Sequence, residues 1–256
     1  MIKAAFFDID GTLLSFKTHK VSDGTVRAFE ELHRKGIRTF ISSGRPKVLI
    51  PEMPVGFDGY VTMNGGYCFA GDKVLLKSPL PQEETDRWLH YAQEHQLCTM
   101  IFTEHEMFVN TLENPIANAI RNQLEFEMPP VMPIEQMFGC ETYQIIAVMP
   151  AEQDEEVLEL LPHCRLPRWH PQFSDLIYCK NSKAAGIESM LQHFGLHREE
   201  CIGFGDGGND IEMLEYCGIG IAMGNAAPKV QSHADYVTTS VDDEGIEHAL
   251  LELDII

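Results

Sequence analysis

Asp8 and Asp10 stand two residues apart at the end of the apolar run Ala4-Ala5-Phe6-Phe7, and Gly11-Thr12 follows at once. Side chains alternate along an extended strand, so this spacing puts both carboxylates on one side of its tip while Ile9 turns away. Two like charges that close are unfavourable unless a cation lies between them or one keeps its proton. A second acidic pair, Asp206 and Asp210, closes the run Ile202-Gly203-Phe204-Gly205-Asp206-Gly207-Gly208-Asn209-Asp210. A donor set made only of oxygen suits Mg2+ better than a metal that prefers nitrogen or sulfur. Taken singly, Asp10-Gly11-Thr12 also fits a turn with a helix cap, and the glycine-rich stretch fits a fragment of a calcium loop. Their conjunction at strand ends points to a site.

Such residues need a frame that delivers strand ends to one place. The apolar run Lys3–Ile9 suits a strand buried on both faces of a parallel sheet. Asp23–Arg34 carries apolar residues at Val26, Phe29 and Leu32 with Gly36 beyond, the pattern of a helix with a glycine stop. Ile37–Ser43 and Gly59–Met63 read as further strands, the latter ending in Asn64-Gly65-Gly66. The rhythm resumes late, with helices over Lys183–Phe194 and Asp210–Tyr216, strands over Cys201–Phe204, Ile219–Met223 and Asp235–Thr238, and a last helix from Glu244. The two ends together predict a doubly wound parallel α/β sheet, in which ligands bind at the carboxyl ends of the strands.

The middle of the chain differs. A helix over Gln82–His95 leads into strands Thr99–Phe102 and Met107–Asn110, then a helix over Ile116–Leu124 and a stretch with Pro129, Pro130 and Pro133. The strand Tyr143–Val148, a helix over Glu152–Leu161 and two strands around Arg168 and Leu176 complete it. The reading is a core of residues 1–79 and 180–256 with an inserted α+β domain of residues 80–179, joined by two linkers that permit a hinge. Trp169, His170, Phe173 and Asp175 fall on a turn between strands of that insertion, where they either face a ligand or pack as an ordinary turn.

Composition narrows the function. At 256 residues, 44% hydrophobic and 23% charged, the chain can bury a full core. Seven scattered cysteines without a C-x-x-C pair argue against a disulfide framework or thiolate zinc site, and read as small buried apolar residues in a reducing cytosol. The absence of a leader pattern at Met1-Ile2-Lys3-Ala4 and of a long apolar stretch gives a cytoplasmic expectation with no membrane partner. A formal charge of −20 repels nucleic acid and anionic membranes alike, and any anionic substrate must be held by local cations. A monomer or weak homodimer is expected.

Asp8-Ile9-Asp10-Gly11-Thr12-Leu13, Ser43-Gly44-Arg45, Lys183 and Gly205-Asp206-Gly207-Gly208-Asn209-Asp210 resemble, in order, the four motifs of the haloacid dehalogenase superfamily. The segment Ile221–Val230, with Ala234-Asp235-Tyr236-Val237-Thr238 and Asp243-Glu244-Gly245, is similar to its Cof-type, class IIB branch, whose members insert an α/β cap between motifs II and III. The resemblance implies a phosphatase in which Asp8 is the nucleophile and Asp10 the general acid. It implies Mg2+ held by side-chain oxygens of Asp8 and Asp206 and the carbonyl of Asp10, with Asp210 supporting from outside. Ser43, the N–H groups of Gly44 and Ile9, Lys183 and Asn209 would hold the phosphate. Mg2+ and Lys183 then set the potential that an acidic protein needs to accept an anion.

Ser42 competes with Ser43 as the phosphate hydroxyl, and Arg45 either contacts substrate or caps the next helix. Ala184 stands where many relatives carry glycine. The substrate implied is a small phosphorylated metabolite, with sugar phosphates the first expectation. The same residues would serve a phosphotransferase or mutase, and a silent phospho-ligand sensor is the reading from another class. Complete motifs argue against the sensor.

Overall fold

The structure, a computed structural model, describes residues 1–124, 127–168 and 170–256. Trp169 therefore lies outside the described residues. The chain forms two compact units, one of Met1–Arg45, Pro51–Lys77 and Ser182–Ile256, the other of Pro46–Ile50 and Ser78–Asn181. At the ends of the second unit Ser78 Oγ donates to Asn181 Oδ1 (2.6 Å) and Asn181 Nδ2 donates to the Ser78 carbonyl (2.8 Å), which fastens the two connecting strands of chain to each other.

In chain order the first unit begins with β1 (Ala4–Phe7), α1 (Asp23–Arg34), β2 (Arg38–Ser42), β3 (Gly59–Thr62), β4 (Tyr67–Ala70) and β5 (Lys73–Lys77). The second unit holds α2 (Gln82–Glu94), β6 (Cys98–Phe102), β7 (Met107–Val109), α3 (Pro115–Leu124), α4 (Ile134–Met137), β8 (Gln144–Val148), α5 (Asp154–Leu160), β9 (Cys164–Arg165) and β10 (Ser174–Tyr178). The first then resumes with α6 (Lys183–Phe194), β11 (Cys201–Gly205), α7 (Ile211–Tyr216), β12 (Ile219–Ala222), α8 (Pro228–Gln231), β13 (Tyr236–Val237) and α9 (Gly245–Glu252).

The sheet of the first unit runs β13-β12-β11-β1-β2-β3-β4-β5, parallel from β13 to β3. β1 is central and every residue of it is buried, because the sheet is covered on both faces. On one face Phe6 stacks on Phe40 (4.7 Å) among Val61, Ile187 and Met190. On the other Phe7 stacks on Phe204 (5.0 Å) among Phe29, Leu32 and Ile246. The period-two alternation of an apolar strand thus supplies two cores at once.

Helices start where the chain offers a cap. The Ser22 and Ser182 side chains accept from the Thr25 and Ala185 N–H groups at 3.1 and 3.0 Å, and Gly195 closes α6 in the left-handed conformation.

The antiparallel hairpin β4–β5 at the sheet edge is an addition to the sequence reading. Its signal is Gly71-Asp72 between two short apolar runs.

The second unit is a five-stranded antiparallel sheet, β7-β6-β8-β10-β9, with a core of Trp88, Leu89, Ile101, Ile145 and Leu176. The strand expected around Arg168 sits instead at Cys164–Arg165. Pro167 offers no N–H to a ladder, and the Arg168 guanidinium donates to Asp154 and to the carbonyls of Met149 and His170. The turn expected around residues 169–175 is shorter than read. Phe173 is buried and stacked on His170 (4.7 Å), and Asp175 is buried within β10.

The cysteines also divide. Five are buried, and burial pushes the Cys68 and Cys98 thiols up to about 12 and about 11, but Cys140 is half-buried and Cys179 exposed. Among the described residues no helix is long and apolar enough to cross a membrane.

Candidate active site

The strand conformation of β1 stops at Phe7, and the chain then folds into one tight turn in which the Ile9 carbonyl accepts from Leu13 N–H (3.0 Å) and Leu14 N–H (2.8 Å). Gly11 makes the turn possible. Its φ of 84° belongs to the left-handed region, and a Cβ there would collide with the Asp206 carboxylate. The turn therefore lies directly against the end of β11, where Thr12 Oγ1 donates to Asp206 Oδ1 at 2.9 Å.

After Asp206 the backbone winds through a single 3-10 turn, Gly208–Asp210, that carries Asp210 back beneath it. Asp210 Oδ2 accepts from the N–H groups of Asp206 (2.9 Å) and Gly207 (2.8 Å), and its Oδ1 accepts from Lys183 Nζ. Lys183, the first residue of α6, also donates to Asp8 Oδ1 at 2.6 Å. Helix α6 comes close enough because two glycines face each other there. A Cβ on Gly65 would collide with the Ser182 carbonyl, and one on Gly186 with the Val61 side chain. Ala184 is only half-buried, so the helix start has room for its methyl group.

These groups are buried together. Lys183 is 1% exposed, Asp8 7% and Asp210 0%. Burial raises the Asp8 carboxyl well above its ordinary value, against the pull of Lys183. Burial, with Asp210 beside it, pushes Asp206 up to about 7, opposed by the hydrogen bond from Thr12. Lys183 is held charged by Asp210 and Asp8, which outweigh its desolvation. A bound cation would offset both the burial and the mutual repulsion that raise these acids.

Oxygens of Asp8, Asp206 and Asp210 lie within 4.8 Å of one another, the one such cluster among the described residues. An oxygen-only set of carboxylates, two of them raised by burial and by the charge of neighbouring carboxylates, fits Mg2+. Asp210 Oδ2 already accepts from two N–H groups and its Oδ1 from Lys183, whereas each oxygen of Asp206 accepts from one neutral donor and Asp8 accepts from Lys183 at Oδ1, which leaves Asp8 and Asp206 as the side chains with the most lone pairs to offer.

The Asp10 carboxylate is not part of that cluster. It forms a two-pronged pair with Arg45, Nε to Oδ2 and Nη2 to Oδ1 at 2.7 Å each. The alternation that would aim it with Asp8 no longer governs a residue inside the turn.

Ser43, Gly44, Asn64 and Asn209 gather beside this pair. The Ser43 Oγ accepts from Arg45 N–H (3.1 Å) and keeps its own proton to donate. Ser42 is fully buried, and its Oγ has no hydrogen-bond partner among the described residues. A Cβ on Gly44 would stand 3.2 Å from Asn64 Nδ2 and 3.5 Å from Asn209 Nδ2. Asn209 Nδ2 donates to Asn64 Oδ1 at 3.0 Å. Ile9 is buried, its side chain in the core.

Three participants were missed from sequence: Asn64 (φ 52°), Arg45 as the partner of Asp10, and Asn225, whose side chain reaches Asp206. The left-handed Asn64 next to Gly65 was readable as a turn signal; the other two contacts join segments far apart in the chain.

A family model described as haloacid dehalogenase-like hydrolase matches residues 5–250. The chain is 31% identical to a Bacillus subtilis protein named "Putative phosphatase YkrA", over 99% of this chain and 98% of that one. A solved structure described as an HAD subclass IIB sugar phosphatase superposes with a TM-score of 0.93 at 38% identity, covering 99% of this chain and 100% of the other. A second, from Bacteroides thetaiotaomicron and described among phosphatases of the haloalkanoate superfamily, gives 0.92 at 38% identity, covering 100% and 96%.

Proposed function

Because the chain belongs to the haloacid dehalogenase-like hydrolases, we propose that it is a Mg2+-dependent phosphatase acting on small phosphate monoesters, sugar phosphates foremost, through an aspartyl-phosphate on Asp8. The observation that carries this reading is the buried trio of Asp8, Lys183 and Asp210 beside Asp206, at the carboxyl ends of β1 and β11. In it a carboxylate oxygen sits fixed next to a permanent positive charge.

Asp8 is the nucleophile and forms the new bond to phosphorus, while the ester oxygen leaves. Asp10 gives that oxygen its proton and later takes one from the attacking water. Lys183, Ser43, Asn209 and the N–H groups of Ile9 and Gly44 hold the phosphate oxygens as charge spreads over them. Mg2+, when bound by oxygens of Asp8, Asp206 and the Asp10 carbonyl, supplies the positive charge that lets a carboxylate and a phosphate dianion share one site. Asp210 orients Lys183 and the Asp206 backbone from outside. The middle segment, residues 80–179, is read as a cap that sets substrate choice, and the phosphorylated metabolite is expected to be selected there.

The test is phosphate release from sugar phosphates, nucleotides, pyridoxal phosphate and flavin mononucleotide, by the wild type and by Asp8→Asn. The substitution should lower kcat by about 10⁴-fold or more while circular dichroism shows an intact fold. Near-normal release from a folded Asp8→Asn protein would overturn the assignment. A new sugar phosphate without free phosphate would make the enzyme a transferase.

A further inference from the structure

The segment Ile221–Val230 has no part in the scheme above, yet its Asn225 makes three directed contacts at the rim of the acidic cluster. Nδ2 donates to the Gly11 carbonyl (2.9 Å) and to Asp206 Oδ2 (3.2 Å), and Oδ1 accepts from Val241 N–H (2.9 Å). The pattern fixes which end of the amide is which, because the Val241 N–H can only donate and the Gly11 carbonyl only accept. One side chain thus joins the end of β12, the turn after β1, the end of β11 and the segment before α9.

The contact to Asp206 matters because of what holds its other oxygen. Thr12 donates to Oδ1 and Asn225 to Oδ2, so each carboxylate oxygen carries one neutral donor from the protein. Two donors at the two oxygens fix the rotation of the carboxylate plane; one leaves it free to turn. The same amide nitrogen pins the carbonyl of Gly11, the residue whose missing side chain lets the turn lie against Asp206. From Val241 the chain passes to Asp242, which accepts from Ser15 Oγ (2.6 Å) and Lys17 Nζ (2.5 Å) and so secures the loop that follows the turn.

We propose that Asn225 is a positioning residue for the cation site, setting the plane of the Asp206 carboxylate and the place of the Gly11 turn so that their free lone pairs meet those of Asp8. The proposal rests on the reading of Asp206 as a Mg2+ ligand. Partners one step removed from a metal characteristically govern its affinity by about 10- to 100-fold. Asn225 is exposed, so its removal opens no cavity in the core.

The experiment is calorimetric titration of Mg2+ into substrate-free wild type, Asn225→Ala and Asn225→Ser, alongside melting temperatures and kinetics at saturating Mg2+. Alanine should weaken Mg2+ binding about 10-fold, with the melting temperature little changed and substrate KM at saturating Mg2+ held. Serine, which can still donate one hydrogen bond, should fall between. Wild-type Mg2+ affinity in both variants overturns the role of Asn225 while leaving the phosphatase reading intact. A wild type that binds no Mg2+ and works without it overturns both. A shared loss of KM and stability with unchanged Mg2+ affinity would make Asn225 a structural clip, and would also overturn the proposal.

Discussion

Asp8 and Asp10 are two residues apart, yet the two halves of the site built on them are held by opposite means. Around Asp8 the carboxylates and Lys183 are closed off from water, and Lys183 is shared between Asp8 and Asp210, which enter from different segments. Asp10 forms a two-pronged ion pair with Arg45, with side-chain exposures of 25% for Asp10 and 12% for Arg45. A desolvated charge that loses its partner cannot turn to solvent, so the first half behaves as scaffold. The Asp10 carboxylate keeps a quarter of its surface in solvent, so the second half is the more open of the two to water and to a substrate oxygen. Under the proposed mechanism a nucleophile at Asp8 needs a fixed direction and a proton donor at Asp10 needs reach, and the two surroundings suit those roles.

The largest effect that could break this contrast is in the buried half. Lys183→Met should destabilise the fold by about 3–5 kcal/mol, since it leaves two carboxylates facing each other without a cation. Thermal unfolding measures it, and a loss below about 1 kcal/mol would mean that the trio is no scaffold.

Next comes the rim. Asp10→Asn should cost about 10²- to 10⁴-fold on a sugar phosphate and far less on an aryl phosphate, whose phenolate leaves with little help. Arg45→Ala should lower stability by about 1–3 kcal/mol in thermal unfolding, since it leaves the Asp10 carboxylate without its two-pronged partner. Equal losses of Asp10→Asn on both substrates would assign Asp10 to the fold.

The contrast can also be sharpened by the response of the metal-free protein to pH. Asp206 is pushed up to about 7 from its ordinary 3.8, so the folded state binds its proton more tightly than the unfolded chain does. Its contribution therefore favours the fold below that window, is lost as pH rises from about 4 to about 7, and is level above. Asp8 acts in the same direction. The melting temperature of EDTA-treated protein should fall more steeply with pH in the wild type than in Asp206→Asn. Parallel curves would mean that the crowding at Asp206 has no energetic weight.

What sequence could and could not supply follows the same division. α1 and α6 span the residues that the apolar spacing predicts, Asp23–Arg34 and Lys183–Phe194, because periodicity and capping are local chemistry. The meeting of Asp8 with Asp206 and Asp210 followed from strand ends in a parallel sheet, whereas Lys183 was placed there by the family resemblance alone. The Asp10–Arg45 pair, 35 residues apart, and the Asn225–Asp206 contact, 19 apart, depend on how loops close over the sheet, and no local pattern encodes that. The edge hairpin had only a weak signal, because the short apolar run after Gly71 is bracketed by charge at Lys73 and Lys77, as suits an open edge. Burial split the cysteines in a way composition alone could not foresee, leaving Cys179 at the surface.

Gly65 and Gly186 bear on how this chain can diverge. The outer face of α6, with Glu188 and Gln192 in solvent, can be rewritten freely, since nothing rests on it. At the two glycines the smallest possible side chain is already excluded, by the Ser182 carbonyl at one and by Val61 at the other. A methyl group there would lift the first turn of the helix from the sheet and carry Lys183 away from Asp8. The firmest limit on variation near this site is therefore set by a gap between two backbones, at residues that bear no charge and perform no chemistry.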